Sequence, residues 1–135
     1  MTTHWTARPR WRITGTGRIA LGPGKADLLQ AIDRTGSITA AARALGMSYR
    51  RAWLLVETMN GCFARPLVAT AAWRGRGATL TRAGRETVRL YRLIETRSAR
   101  ATERPMGRLL ALLAGADRPA SVRRAASRPR RPRRG

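Results

Sequence analysis

The sequence predicts a mainly α-helical domain that carries a small β-hairpin. Three observations predict it: two short amphipathic segments joined at a glycine, two short extended segments after them, and a long amphipathic segment at the end. A chain of 135 residues is long enough for one domain with a modest core. We expect that domain at residues 11–100, after a flexible N-terminus at residues 1–10. A linker or short helix at residues 101–117 and a disordered tail at residues 118–135 would follow.

The first expected elements are a strand and a helix. Residues 11–21 (WRITGTGRIAL) alternate enough to predict a strand, and their two glycines favour a bulge or a bent edge strand. Its expected inward-facing residues are Trp11, Ile13 and Ile19. Residues 22–24 (Gly-Pro-Gly) predict a turn. Residues 25–35 then predict a helix that Gly36 ends.

Residues 36–60 (GSITAAARALGMSYRRAWLLVETMN) predict two short helices joined by a tight turn. Ser37 and Ser48 can cap them, because a serine oxygen accepts from backbone N–H groups that are unpaired at a helix start. Gly46 permits the reversal, since glycine tolerates positive φ. The expected apolar faces are Ile38, Ala41, Ala42 and Leu45, and then Ala52, Leu55, Val56 and Met59. This spacing is typical of a helix-turn-helix, although such helix pairs also occur in other all-α proteins.

A second hairpin is expected directly after this pair. Pro66 stops any helix, and residues 67–72 and 78–80 are short extended segments around a glycine-containing loop. In this position the hairpin would be the wing of a winged helix-turn-helix. Arg74 and Arg76 at its tip would suit phosphates or the minor groove. The alternative is an exposed loop that only solvates its charge.

Residues 81–100 predict a long helix that Thr81 caps and that Pro105 ends. Its broad apolar face consists of Val88, Leu90, Tyr91, Leu93 and Ile94. A small domain would leave part of this face uncovered, so the helix predicts pairing with a second copy, that is, a homodimer. Residues 106–114 predict either one more short helix or an extension of that contact.

The charge balance predicts a polyanionic partner. The formal net charge is +21, from 28 basic and 7 acidic residues, and Lys25 is the only lysine. Phosphate binding by such a chain is favourable because it releases counterions. Double-stranded DNA is the expected partner, and an anionic membrane surface is the rival. No apolar run suits a membrane span or a signal peptide, and one cysteine excludes an internal disulfide, so we expect a cytoplasmic, nucleoid-associated protein.

The tail at residues 118–135 is rich in arginine and proline and has no acid. It cannot bury enough apolar surface to fold, and we expect a disordered arm that contacts phosphates without reading sequence. Those contacts would come from Arg123, Arg124, Arg128, Arg130, Arg131, Arg133 and Arg134. A role in solubility alone is the alternative.

Catalysis is not expected. The only histidine, His4, lies in the N-terminus that we expect to be flexible, and Cys62 has no histidine near it in sequence. One histidine and one cysteine cannot build a metal cluster. The sequence therefore predicts a non-enzyme without a metal or a cofactor.

Several stretches together resemble one family. The segment GPGKADLLQAIDRTGSITAAARALGMSYRRAWLLVETMN, then PLV, a basic wing and LTRAG, is similar to the N-terminal winged helix of ModE-type molybdate-responsive transcription regulators. It resembles the LysR-type DNA-binding domain more distantly. The resemblance covers about residues 11–100, and MSYRRAW followed by MN is its most specific part. It implies a sequence-specific transcription regulator, a homodimer whose second central helix enters the major groove of a palindromic operator.

The resemblance also implies roles for individual residues. Those that match the N-terminal turn of the recognition helix are Ser48, Tyr49, Arg50 and Arg51. Those that match the supporting helix, which contacts the DNA backbone, are Ser37 and Thr39, and Arg74 and Arg76 match the wing loosely. Either Arg50 or Arg51 could make the bidentate contact to guanine, and this choice stays open. Trp53 is expected in the core or behind the helix or the wing.

One part of the family pattern has no counterpart here. Full-length members carry molybdate-binding β-barrels after the long helix, whereas the residues after Arg100 are too few and too rich in arginine and proline for such a barrel. The Ser98-Ala99-Arg100 triplet lies inside a predicted helix and is not expected to bind an oxyanion. We therefore expect no molybdate binding by this chain. The alternative to a regulator is a non-specific architectural DNA-binding protein, which the net charge and the basic arm would suit.

Overall fold

The structure is a computed structural model, and it describes residues 2–71 and 77–116. Among these residues the chain forms two compact units. The larger consists of residues 9–71 and 77–98, and the smaller consists of residues 2–8 and 99–116. The elements, in chain order, are β1 Ile13–Gly15, β2 Arg18–Leu21, α1 Pro23–Thr35, α2 Ile38–Ala44, α3 Tyr49–Cys62, β3 Val68–Thr70, β4 Ala78–Leu80, α4 Arg82–Ala101 and α5 Glu103–Leu110.

The first extended segment is a hairpin and not the single strand that we expected. Strands β1 and β2 pair antiparallel, and Gly17 permits the reversal between them with a φ of 68°. The expected bulge is present, since the pairing register shifts between Ile13 and Thr14. The expected inward residues are wrong: Trp11, Ile13 and Ile19 are 49%, 50% and 44% exposed. The reversal folds the segment onto itself, and only Leu21 of β2 is buried in the core.

Helix α1 begins at Pro23, so the turn predicted at residues 22–24 is wrong. Proline fits the first helical position because N–H groups in the first turn have no intrahelical acceptor. The C-terminal end is as expected: Gly36 has a φ of 72° and donates its N–H to the Ile32 carbonyl. Leu28, Leu29 and Ile32 of this helix are fully buried.

The central pair of helices forms as the sequence predicts. Ser37 Oγ accepts from Ala40 N at 3.1 Å, and Ser48 Oγ accepts from Arg51 N at 3.2 Å. Gly46 lies between the helices with a φ of 66°. The predicted apolar faces are buried except at two positions, since Leu55 is half-buried and Leu45 is 37% exposed. Leu45 follows the last residue of α2, so it no longer lies on the helical face.

Helix α1 is the centre of the larger unit. It packs against α2, α3 and β4, and α2 packs against α3. The core is apolar, and no charged side chain among the described residues is buried. Its largest fully buried side chains are Leu28, Leu29, Ile32, Met59 and Leu67. This packing fixes the orientation of α3 relative to the rest of the unit.

Helix α4 begins and ends as predicted. Thr81 Oγ1 accepts from Gly84 N at 3.0 Å, which is a cap of the first turn. The helix ends at Ala101, four residues before Pro105, whose ring would collide with the Ala101 carbonyl in a continuing helix. Of the expected apolar face, Tyr91 is buried, but Leu90 and Ile94 are 42% and 44% exposed.

The smaller unit joins the N-terminal residues to the segment around α5. Thr3 N donates to the Gly115 carbonyl and Trp5 Nε1 donates to the Ala114 carbonyl, both at 2.9 Å. A short helix is present as α5, but it begins at Glu103 and ends at Leu110, so the predicted bounds of 106–114 are wrong. Pro105 lies in its first turn, where its missing N–H has no intrahelical acceptor to lose. Among the described residues, no helix combines the length and the apolar character that a membrane crossing requires.

Candidate nucleic-acid interface

The first turn of α3 presents polar and basic side chains to solvent. Tyr49 is 53% exposed, and Ser48, Arg50 and Arg51 are exposed as well. A helix turns about 100° per residue, which places Arg50 nearly opposite the fully buried Ala52. The helix start therefore offers backbone N–H groups and two guanidinium groups on its outer surface.

The guanidinium groups of Arg50 and Arg51 are not used inside the described part of the chain. No hydrogen bond or ion pair to another described residue occupies either of them. Two arginines of α4 differ, because Arg89 pairs with Glu86 and Arg92 pairs with both Asp27 and Glu95. The exposed arginines of α3 are thus available for an external anion.

Three acidic residues of the larger unit, Asp27, Glu86 and Glu95, form ion pairs with arginines of α4. Asp27 lies on α1 and Glu95 lies on α4. Burial acts to lower the pKa of Arg92, but its hydrogen bonds to Glu95 and Asp27 outweigh burial and raise that pKa. The hydrogen bond from Arg89 lowers the pKa of Glu86. The first half of α3 carries no acid, and Glu57 is the first acidic residue along the helix. The electrostatic potential at the α3 N-terminus therefore favours a polyanion.

The start of α2 carries Ser37 and Thr39, the two residues predicted to contact the DNA backbone. Thr39 is exposed, whereas Ser37 is half-buried and its Oγ serves as the cap of α2. Ala78 N of β4 donates to the Gly36 carbonyl at 2.9 Å, immediately before α2. The start of α2 and the base of the second hairpin are therefore directly connected.

The predicted second hairpin is confirmed where the structure describes it. Strands β3 and β4 pair antiparallel, with Val68 opposite Leu80 and Thr70 opposite Ala78. The wing residues Arg74 and Arg76 lie outside the described residues, as do the tail arginines Arg123, Arg124, Arg128, Arg130, Arg131, Arg133 and Arg134. Their predicted contacts with DNA stay predictions.

Asn60 joins the end of α3 to the second hairpin, a role that the sequence analysis missed. Its Oδ1 accepts from Leu67 N at 2.9 Å and Val68 N at 3.1 Å, and its Nδ2 donates to the Val68 carbonyl at 3.1 Å. In the sequence, the MN and PLV segments are linked only by their resemblance to the ModE-type domain. Their physical link is this three-bond bridge between a helix and a strand.

Thr81 and Gly84 fix the start of α4 against the segment that leads into β3. Thr81 N donates to the Leu67 carbonyl at 2.9 Å, and Thr81 Oγ1 donates to the Pro66 carbonyl at 2.6 Å. A Cβ on Gly84 would lie 2.1 Å from the Leu67 oxygen, so only glycine fits there. The LTRAG segment thus holds α4 close to the hairpin that follows α3.

Two large apolar side chains lie on the exposed side of α3, which the sequence analysis also missed. Trp53 is 40% exposed, so the core role expected for it is wrong, and Leu54 is 48% exposed. The helical repeat could have predicted this exposure, since both positions lie outside the buried stripe of Ala52, Val56 and Met59. An exposed Trp-Leu pair therefore accompanies the basic residues on α3.

The surface has the chemistry of a binding site. Among residues 2–71 and 77–116, no group of three or more His, Cys, Asp or Glu residues could hold a metal ion. Guanidinium groups, hydroxyls and helix N–H groups instead suit hydrogen bonding to phosphates and to base edges.

The comparisons with known proteins agree with this geometry. Residues 25–85 match the family model described as bacterial regulatory helix-turn-helix protein, lysR family. The molybdenum-pterin-binding protein MopB of Rhodobacter capsulatus is 47% identical over 77 residues, which are 56% of this chain and 28% of that protein. The molybdenum transport protein ModE of Azotobacter vinelandii is 40% identical over 92 residues, or 67% of this chain and 34% of that protein.

A solved structure supports the fold. The CbnR DNA-binding domain, crystallised as a complex with DNA, matches with a TM-score of 0.53 at 21% identity and covers 64% of this chain and 95% of that one. The chain spans about a third or less of the length of the two relatives. The fold is a winged helix-turn-helix, residues 25–85 are similar to the regulatory helix-turn-helix domain of the lysR family, and the sequence resembles the N-terminal part of ModE-type regulators.

Proposed function

We propose that the chain is a sequence-specific DNA-binding regulator that acts on the nucleoid, with α3 in the major groove of its operator. The observation that carries this proposal is the pair of exposed guanidinium groups of Arg50 and Arg51 on the first turn of α3. No described side chain neutralises them, and α3 is held from behind by its buried stripe.

The proposed contacts with DNA follow from the positions of the side chains on α3 and α2. The N–H groups at the start of α3, with Ser48 and Tyr49, would bind a phosphate, because the helix dipole favours an anion there. Arg50 or Arg51 would make a bidentate contact to guanine O6 and N7, which discriminates between bases by about 1–3 kcal/mol. Thr39 and the start of α2 would contact the backbone of the DNA.

Alanine substitutions at Arg50 and Arg51, singly and together, test this proposal. Selection from random DNA with the full chain should yield a palindromic site, and the double variant should lose the preference for that site at fixed salt. Its urea unfolding curve should match that of the unsubstituted protein, because neither side chain packs in the core. Arg97→Ala removes one exposed charge from α4 and is the matched control. Retained preference in the double variant would contradict the proposal.

A non-specific architectural protein is the second candidate, and the net charge of +21 favours it. Removal of residues 118–135 separates the two functions. An architectural protein should lose most of its affinity, with a much shallower dependence on salt. A regulator should keep the ratio between operator and unrelated DNA and lose mainly a sequence-independent term. We propose that the ratio is kept.

We also propose that the regulator is a homodimer, paired through α4 and the first hairpin. Leu90 and Ile94 are 42% and 44% exposed, and Trp11 and Ile13 beside them are about half exposed. These four residues line a cavity of 390 Å³ with Leu21, Phe63, Thr87 and Tyr91. Burial of such a surface against a second copy would stabilise the pair and suit a palindromic operator.

Finally, we propose that DNA binding by this chain does not depend on molybdate. The Ser98 hydroxyl of the Ser98-Ala99-Arg100 triplet donates to the Ile94 carbonyl at 2.6 Å and accepts from Trp11 Nε1 at 2.7 Å. Calorimetry with molybdate and the full chain should show no heat of binding. A micromolar signal would overturn this part of the proposal.

A further inference from the structure

The exposed surface of α3 carries more apolar area than phosphate binding requires. Tyr49, Trp53 and Leu54 are 53%, 40% and 48% exposed, and they surround Arg50 on consecutive turns of the helix. Single exposed apolar residues are common, but a cluster beside a charged group marks an interaction surface. The same helix that would bind DNA therefore offers an apolar patch.

The spacing along α3 matches the spacing of base pairs. Leu54 follows Arg50 by four residues and Trp53 follows it by three, which at about 1.5 Å per residue gives about 5–6 Å along the axis. One base pair step is about 3.4 Å. If Arg50 contacts a guanine, Trp53 and Leu54 face base pairs one or two steps away.

The major groove offers one apolar group, the C5-methyl of thymine. We propose that Trp53 and Leu54 read thymine methyl groups next to the base pair that the α3 arginines read. The proposal deepens the proposed function and rests on it, because it requires α3 to lie in the major groove. The neighbouring guanidinium groups would bind the DNA phosphates and bases and so keep the apolar patch in contact with the groove. Apolar side chains alone would not bind a polyanion.

Replacement of thymine by deoxyuridine tests the proposal without changing the protein. The substitution removes only the methyl group and keeps every hydrogen-bonding group of the base. We expect about fourfold weaker binding at one or two thymines in each half-site, from about 0.8 kcal/mol for one buried methyl group and about 1.4 kcal/mol per tenfold change. The other thymines of the site should show no effect.

Protein variants then assign the effect to residues. Trp53→Ala and Leu54→Ala should bind the thymine site more weakly than the unsubstituted chain, and each should be insensitive to deoxyuridine at the position that it reads. Trp53→Phe keeps most of the apolar surface and should keep the sensitivity, which covers the case in which Trp53→Ala does not fold. Trp5→Ala removes a tryptophan that is 44% exposed outside α3, and it should behave like the unsubstituted chain.

The outcomes separate the two proposals. If a preferred site exists and depends on Arg50 and Arg51, but deoxyuridine has no effect at any thymine, the methyl-reading proposal alone is overturned. Undiminished deoxyuridine sensitivity in both Leu54→Ala and the folded Trp53 variants would overturn it as well. If the full chain prefers no sequence, both proposals fail.

Discussion

Gly84 at the start of α4 lies against the backbone carbonyl of Leu67, so closely that a Cβ on Gly84 would be 2.1 Å from that oxygen. Leu67 is fully buried and begins the segment that leads into β3. Thr81 adds hydrogen bonds to this segment, from its N–H to the Leu67 carbonyl and from its hydroxyl to the Pro66 and Leu67 carbonyls. The contact between Gly84 and Leu67 therefore determines how α4 leaves the second hairpin.

Gly84→Ala should destabilise the protein strongly, because backbone atoms and not a flexible side chain occupy the space. We expect a loss of about 3 kcal/mol in the free energy of unfolding, measured by urea denaturation. Gly61→Ala, inside α3, is the matched control, since a Cβ there meets open space. It should leave stability unchanged or raise it by up to about 1 kcal/mol. Equal effects of the two substitutions would show that the close approach is absent.

Asn60→Ala should also reduce stability, because it leaves Leu67 N and Val68 N without their acceptor. Two half-buried N–H groups without partners should cost about 2–4 kcal/mol. Asn60→Asp keeps an acceptor and should cost less. Thr58→Ala removes a side-chain hydrogen bond to the Leu54 carbonyl on the exposed side of the same helix, so its effect should be small. A loss for Asn60→Ala no larger than that for Thr58→Ala would contradict the bridging role.

The stability of the fold should depend on pH through Tyr91. Burial raises the pKa of Tyr91 above its usual value, and its hydroxyl donates to the Trp11 carbonyl at 2.8 Å. A raised pKa means that the folded protein holds this proton more tightly than the unfolded chain does. The stabilisation is therefore complete below about pH 10 and is lost as the pH rises through the folded-state pKa.

Tyr91→Phe tests this dependence. The variant should be about 1 kcal/mol less stable at pH 8, because it lacks the hydrogen bond to Trp11. Above pH 10 its stability should fall less steeply than that of the unsubstituted protein, because the variant has no hydroxyl proton to lose at position 91. Urea unfolding at pH 8, 10 and 11 measures the difference. Parallel pH profiles would exclude Tyr91 as the titrating group.

Leu90→Lys with Ile94→Lys should produce a monomer. Charges at these two exposed positions of α4 would have to be buried between copies in the proposed dimer, at a cost that hydrophobic contact could not offset. Sedimentation equilibrium of the full chain measures the effect. Leu45→Lys, at a position that is 37% exposed in the turn before α3, should leave association unchanged. An unsubstituted chain that stays monomeric at high concentration would exclude the dimer.

Local features of the fold were predictable from the sequence. The caps by Ser37, Ser48 and Thr81 and the helix end at Gly36 depend on neighbours within four residues, and all of them form. Each is a short-range hydrogen bond or a backbone conformation that the residue type favours. For this reason the order and the limits of the central helices followed from the residues alone.

Other features depend on distant residues and were not predictable in the same way. Pro23 suits both a turn and a helix start, and only the packing of α1 decides between them. The bonds of Asn60 join residues seven and eight positions apart across a loop, which no helical or strand period reveals. Trp53 is a large apolar residue of the kind that usually lies in a core. It is exposed because of the direction in which α3 packs on α1 and α2.

The hydrogen bond between Ala78 N and the Gly36 carbonyl has a mechanical consequence. It ties the base of the second hairpin to the corner between α1 and α2. Because α3 packs on both of these helices, the helix that we propose for the major groove and the base of the hairpin would move as one rigid body. The distance between α3 and the hairpin could then not adjust to the shape of the DNA, so the DNA would have to bend or twist to contact both. Stiff tracts at the operator centre would then weaken association even where the protein contacts no base.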